Sequence, residues 1–165
     1  MGKSSKEKRQ SSIGLDSEAD FNPDHLAPIA HPLADKKLTK KVFKTLKKAT
    51  KHKHVKRGVK EVIKGIRKGD KGLVILAGNT APIDVISHIP VLCEDKNIPY
   101  CFVPSRQELG KASSTKRPTS CVMVIPGGKS GKGEGLSDYK ENYTECFDTV
   151  NEMNKKLITG SGIVA

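Results

Sequence analysis

The chain reads as α/β: a single three-layer α-β-α sandwich around a small mixed sheet, with a flexible N-terminal arm. Three observations predict this. Leu73-Val74-Ile75-Leu76-Ala77, Tyr100-Cys101-Phe102-Val103 and Cys121-Val122-Met123-Val124-Ile125 are short, unbroken apolar runs, the pattern of strands buried on both faces. Helical stripes alternate with them, which calls for helices on both sides of the sheet. The 165 residues, 35% of them hydrophobic, suffice for one core, and no repeat of domain-repeat length is visible.

The elements follow in order. Residues 1–35 begin polar and charged and then carry Pro23, Pro28 and Pro32 among few large apolar residues, so a disordered or loosely docked arm is expected, pinned at most locally by Asp20-Phe21-Asn22-Pro23. The α-β-α domain, including a C-terminal helix, is expected over residues 36–158 and a short tail over 159–165. Leu38, Val42, Phe43, Leu46 and Ala49 fall at helical spacing with lysines on the other face. A second helix follows with Val59, Val62, Ile63 and Ile66 inward, and Gly69 is its expected stop. The sheet is expected to begin at Leu73, between Gly72 and Gly78. Ala81-Pro82-Ile83-Asp84 opens a third helical segment, Pro82 suiting a first turn and Pro90 bending or dividing the segment before Val91-Leu92-Cys93. Ser105-Arg106-Gln107-Glu108 has capping-box spacing. Tyr143, Cys146, Phe147, Val150 and Met153 form a final helical stripe, best read as packing against the body.

The formal net charge is +12, from 30 Lys+Arg against 18 Asp+Glu. It is unevenly placed: between Lys36 and Lys71 stand 16 Lys/Arg and only two acids, Glu61 and Asp70. Polyanions are the natural partner. Cys93, Cys101, Cys121 and Cys146 include no C-x-x-C pair and follow no apolar leader, so buried thiols in a reducing compartment are expected. His52 and His54 have no cysteine at zinc-finger spacing; they are expected to face solvent or phosphate, and no metal is expected. Met1-Gly2 lacks the Ser or Thr of a myristoylation signal, Lys6 standing in that place, and no apolar run has the length of a membrane span. No membrane attachment is expected.

Lys56-Arg57-Gly58-Val59-Lys60-Glu61-Val62-Ile63-Lys64 gathers cations and one carboxylate around a glycine at a helix start. A helix N-terminus presents unpaired N–H groups, glycine admits a phosphate or base close to the backbone, and Lys60 and Lys64 lie one turn apart. Together with Leu76-Ala77-Gly78-Asn79-Thr80-Ala81-Pro82, His88 to Lys96 and Ile98-Pro99-Tyr100, this stretch resembles the kink-turn RNA-binding family of ribosomal and small-nucleolar-ribonucleoprotein proteins. Ala77 to Pro82, Val103-Pro104-Ser105-Arg106 and Lys116-Arg117-Pro118-Thr119 are most similar to its H/ACA ribonucleoprotein second-subunit branch, the branch of the particle that guides pseudouridylation. The resemblance runs from about Leu38 to Ile125.

The resemblance implies an α-β-α fold that binds RNA along the edge formed by the second helix and two loops, without a catalytic centre, a cofactor or a small-molecule substrate. Carried over position by position, its RNA-facing residues are Gly58, Lys60, Glu61, Lys64, Lys68, Val85, Arg106, Thr115 and Arg117. Glu61 would accept from a base edge, Lys64, Lys68 and Arg106 would neutralise phosphates, and Val85 would pack on a base. Kink-turn-specific members carry asparagine where this chain has Lys60. An amide both donates and accepts at a base edge, whereas lysine only donates, so weaker structural selectivity and steeper salt dependence are expected. The implied partners are an H/ACA guide RNA, the pseudouridine synthase and two small companion subunits, in the nucleus and nucleolus, with Cajal bodies as a further site and telomerase RNA as a further client. A ribosomal or box C/D kink-turn protein and a generic basic RNA adaptor are the alternatives. Lys36-Lys37 and Lys40-Lys41 could serve nuclear import, a weak signal in so lysine-rich a chain.

A nucleotide hydrolase is the rival from another class, because Pro126-Gly127-Gly128-Lys129-Ser130-Gly131-Lys132-Gly133 follows a strand. The spacing fails: G-x-x-x-x-G-K-[ST] ending at Ser130 needs glycine where Met123 stands. A flexible basic loop is expected there. His88 has no nucleophile and acid arranged around it, so a structural role is expected.

Overall fold

The computed structural model describes residues 26–128 and 135–160. The possible anchor at Asp20 to Pro23, the first 25 residues of the expected arm, Lys129 to Gly133 of the glycine-rich loop and residues 161–165 of the tail lie outside the described residues. Among the described residues, five helices, α1 (Lys36–Lys51), α2 (Val59–Arg67), α3 (His88–Asp95), α4 (Arg106–Ala112) and α5 (Lys140–Ile158), surround four strands, β1 (Val55–Arg57), β2 (Leu73–Ala77), β3 (Tyr100–Val103) and β4 (Cys121–Val124). The sheet order is β1-β4-β2-β3, with β2 and β3 parallel and β4 antiparallel to both its neighbours. No helix among the described residues is long and apolar enough to cross a membrane.

Strand alternation divides the interior into two cores. Leu73, Ile75, Ala77, Cys101, Val103, Val122 and Val124 face α1, α4 and α5, where Leu38, Val42, Leu46, Leu109 and Val150 meet them. Val74, Leu76, Tyr100, Phe102, Cys121 and Met123 face α2 and α3, where Val62, Ile66, Ile89 and Cys93 fill the other side. The expected three layers are therefore present, and β2, β3 and the C-terminal helix fall where their apolar patterns place them. All four cysteines are buried and free. Burial pushes the Cys93 and Cys101 thiols up to about 12, so they remain protonated at neutral pH.

Several expectations need correction. The sheet begins at β1, not at Leu73. Ile63 belongs to neither core and sits half-buried on the outer face of α2. The segment after Pro82 is split: a 3-10 turn over Ile83–Val85 precedes α3. Pro90 is the third residue of α3, inside the first turn, where its missing N–H leaves no helical bond unmade. His54 does not face solvent. It is buried, its Nδ1 lies 2.6 Å from the Tyr139 hydroxyl, and burial, reinforced by neighbouring His52, lowers its pKa. His52 is half-buried, 2.9 Å from Asp138.

The expected arm boundary at residue 35 runs through a docked segment. Ala27 N–H donates to Gly78 O at 2.7 Å, Phe102 N–H to Pro32 O at 2.9 Å and Ala34 N–H to Phe102 O at 2.8 Å. Leu33 thereby bridges to Phe102 in parallel fashion, covering the outer edge of β3 that would otherwise expose unpaired backbone. The docked segment packs closely on Gly78, where a Cβ would meet Leu26 Cδ2 at 2.9 Å and Ala30 Cβ at 3.3 Å.

Two predictions follow from this packing. A chain starting at Leu26 should melt near the full-length temperature, whereas one starting at Asp35 should melt lower and aggregate more readily through β3; equal melting would show that the segment contributes nothing. Because the folded pKa of His54 is lowered, the unfolded chain takes up its proton first. The associated stability is complete above about pH 6.5 and declines as pH falls through that value. His54→Gln should flatten the drop in unfolding free energy between pH 7.5 and 5.5, and an unchanged slope would assign it to other groups.

Candidate nucleic-acid interface

The site is built where β1 ends and α2 starts. Gly58 makes the turn with φ +86° and ψ 152°, a backbone region essentially restricted to glycine. Its N–H donates to Cys121 O at 2.9 Å, and its carbonyl accepts from Val62 N–H at 3.0 Å, closing the first turn of α2. Among the described residues, a Cβ at Gly58 would meet nothing within 4 Å, so they leave the space above this backbone open. Glu61, in the first turn of α2, reaches back and accepts from Arg57 N–H at 3.3 Å. That contact is long and exposed, and leaves the second carboxylate oxygen with its full acceptor capacity.

The strand ends carry the rest of the site to the same edge. β1, β2 and β3 run one way and β4 the other, so the C-terminal ends of the first three lie beside the start of β4. Beyond β2, Asn79 Oδ1 accepts from the Arg106 N–H at 2.9 Å, fixing the start of α4 against the 78–82 loop. Ser105 Oγ caps α4 by accepting from Glu108 N–H at 3.4 Å, one half of the expected capping box. Arg106 Nε is buried with no hydrogen-bond partner among the described residues. Ile83 and Val85, 36% and 38% exposed, present apolar side chains on the 3-10 turn.

The loop after α4 is folded back onto its helix. Thr115 N–H donates to Gly110 O and Thr119 N–H to Arg106 O, both at 3.1 Å, while Arg117 N–H donates to Thr115 Oγ1 at 3.3 Å. The backbone packs so tightly that a Cβ on Gly110 would come 2.4 Å from Arg117 O. Arg57 Nη1 donates to Ser113 O at 2.9 Å, tying the end of β1 to this loop.

Of the residues expected from the sequence, Gly58, Lys60, Glu61, Val85, Arg106, Thr115 and Arg117 therefore share one edge. Lys64 and Lys68 continue away from it along α2, about 6 and 12 Å beyond Lys60 at 1.5 Å per residue. Lys56, one of the cations that draw the eye in the sequence, is turned inward: it is buried and paired with Asp70. Arg57 and Asn79 stand in the motifs quoted from the sequence, but their positioning roles emerge only here, with that of Gly110 and with Arg67, which joins Lys60, Lys64 and Lys68 around Ile63. The i, i+3, i+4, i+7 spacing of residues 60, 63, 64 and 67 was the available signal for the last.

Residues 40–132 match the Ribosomal protein L7Ae/L30e/S12e/Gadd45 family. The H/ACA ribonucleoprotein complex subunit nhp2 of Schizosaccharomyces pombe is 61% identical over 84 residues, covering 51% of this chain and 54% of that one. The chain thus spans about half the length of that relative. The H/ACA ribonucleoprotein complex subunit 2-like protein of Arabidopsis thaliana is 50% identical over 137 residues, 81% of this chain and 86% of its own. Among solved structures, the Giardia lamblia 15.5kD RNA binding protein superposes with a TM-score of 0.60 at 28% identity, covering 73% of this chain and 99% of that one.

The junction generates a stability prediction. Gly58→Ala clashes with nothing yet forces a side chain into the left-handed region, and should cost about 1–3 kcal/mol in denaturant unfolding. A neutral result would mean that the junction relaxes to negative φ.

Proposed function

Because this chain belongs to the Ribosomal protein L7Ae/L30e/S12e/Gadd45 family, in its H/ACA ribonucleoprotein complex subunit 2 branch, we propose that it is an RNA-binding, non-catalytic subunit of H/ACA ribonucleoproteins. The observation that carries the reading is the open backbone at Gly58, flanked by Lys60 and Glu61 and facing the same edge as Val85, Arg106, Thr115 and Arg117. Backbone N–H groups and cations there suit phosphates, Glu61 suits a base amino or imino group, and Val85 with Ile83 suits the face of an unstacked base. The chain would help dock guide RNA so that the pseudouridine synthase, joined by two small companion subunits, isomerises uridines in ribosomal and small nuclear RNA. Its place would be the nucleus and nucleolus, with telomerase RNA as a further client.

The role asks for grip and placement. The thiols are buried and protonated, and His54 is spent on Tyr139, so these groups serve packing. Lys60 supplies charge where an asparagine would read a base edge, which makes selectivity depend on the synthase and its companions.

Affinity should therefore be compared for an H/ACA hairpin, a kink-turn and an unstructured strand at two salt concentrations, with and without the synthase subcomplex. Alone, the chain should bind all three with similar, salt-sensitive affinity, and the hairpin should win only with the synthase present. Glu61→Ala should weaken the structured RNAs about 10-fold or more, the loss of a hydrogen bond to a charged group being worth about 1.5–3 kcal/mol, while sparing the unstructured strand. Strong autonomous preference for the kink-turn would move the chain to the ribosomal or box C/D group; no affinity for any RNA would end the reading.

A further inference from the structure

The outer face of α2 carries a shallow hollow of about 420 Å³ lined by Lys60, Ile63, Lys64, Arg67 and Lys68. Four of the five are cations, and the fifth is an isoleucine that serves neither core. A merely solvated charged face has no use for a half-buried, β-branched residue at its centre, since straight-chain residues are the better helix formers. Nor is the charge balanced locally. Of the two acids between Lys36 and Lys71, Asp70 is paired with Lys56, and Glu61 stands at the Gly58 end of α2 with one oxygen on the Arg57 N–H. None of the ion pairs among the described residues involves Lys60, Lys64, Arg67 or Lys68. The hollow is also continuous with the binding edge, because Lys60 stands two residues from Gly58. Lys60 to Lys68 spans about 12 Å of helix, the rise of three to four stacked nucleotides.

We propose that this hollow holds an unpaired nucleotide of the bound RNA, beyond the contacts at Gly58 and the loops, with its base or ribose on Ile63 and its flanking phosphates on Lys64, Arg67 and Lys68. The inference rests on the RNA-binding reading and extends it: the chain selects RNA whose structured element is followed by a single-stranded tract. An apolar floor takes any base face, so the tract is read by being unstacked and not by its sequence. An acidic protein segment would match the charge but would use Ile63 without regard to a base.

The probes are a blunt RNA hairpin and the same hairpin carrying a five-uridine extension at its 5′ or its 3′ end, titrated against the wild-type chain, Ile63→Thr and Arg67→Gln, with thermal melting as the folding control. One of the two extensions should tighten wild-type binding about 10-fold, and each substitution should remove most of that gain, Ile63→Thr leaving the blunt hairpin nearly unchanged and Arg67→Gln weakening it much less than the extended one. Abasic residues in the extension should abolish the Ile63 effect and keep the Arg67 effect. The proposal fails if neither extension matters, or if Arg67→Gln lowers the salt slope equally for every RNA and Ile63→Thr binds as wild type. It also fails if a glutamate peptide displaces the extension as well from Ile63→Thr as from the wild type. Wild-type affinity for the blunt hairpin reports separately on the function: its absence would sink the RNA-binding reading itself.

Discussion

The candidate binding edge depends on the hydrogen bond from the Gly58 N–H to Cys121 O, made by a residue that leaves a strand and enters a helix with φ +86°. It stitches the end of β1 to the start of β4, and with it the start of α2 to the loop that precedes β4. The two residues before Gly58 act on either side of the same seam. Lys56 passes inward to Asp70, just after the C-terminal turn of α2, and Arg57 reaches outward to Ser113. Three consecutive residues thus tie one short strand to the helix, the sheet and the loop between which RNA would lie. The far end of α2 is held as firmly: Gly69 at φ +86° ends it, with Gly69 N–H on Ile66 O and Asp70 N–H on Gly65 O, both at 3.1 Å.

A chain of net charge +12 must spend its acids selectively, and their placement separates the paired cations from those proposed to meet RNA. On the other side of the sheet, Lys41 pairs with Glu145, Lys48 donates to Asp138 O and His52 meets Asp138, all between α1 and α5 or the segment leading into it. Exposed pairs of this kind contribute little each, but they lower the local field where α5 packs. Around α2, Asp70 turns inward to Lys56 and Glu61 is the one acid of the helix. Positive charge is therefore left beside the open glycine, an arrangement that draws and orients a polyanion.

Much of this was legible in the residues. β2 and β3 are doubly buried, so their apolar runs end where their strands end, and the stripes of α1 and α5 report faces pressed against a continuous core. β1 was not legible: Val55-Lys56-Arg57 is three residues long, two of them cationic, and is a strand only because β4 supplies a partner. Lys56 looked like a surface cation because sequence does not show that Asp70 returns beside it, 14 residues later. Ile63 was assigned inward because helical periodicity gives a face and not its limits; α2 is narrow, and Val62 and Ile66 already fill its inner side. Gly58, Lys60 and Glu61 could be named at once because they are adjacent in the chain. Asn79, Arg57 and Gly110 act across turns that only the fold closes.

The central claim is that RNA lies against the strand-to-helix junction and the loops at the same end of the sheet. Hydrogen exchange of the chain with and without an H/ACA hairpin tests it directly, because the amides at the start of α2, in the 79–85 turn and in the 113–119 loop are the ones an RNA would shield. The account predicts slowed exchange at those three places together and little change along α1 and α5. Protection confined to the lysine face of α1, with the Gly58 junction exchanging as freely as in the unbound chain, would contradict it.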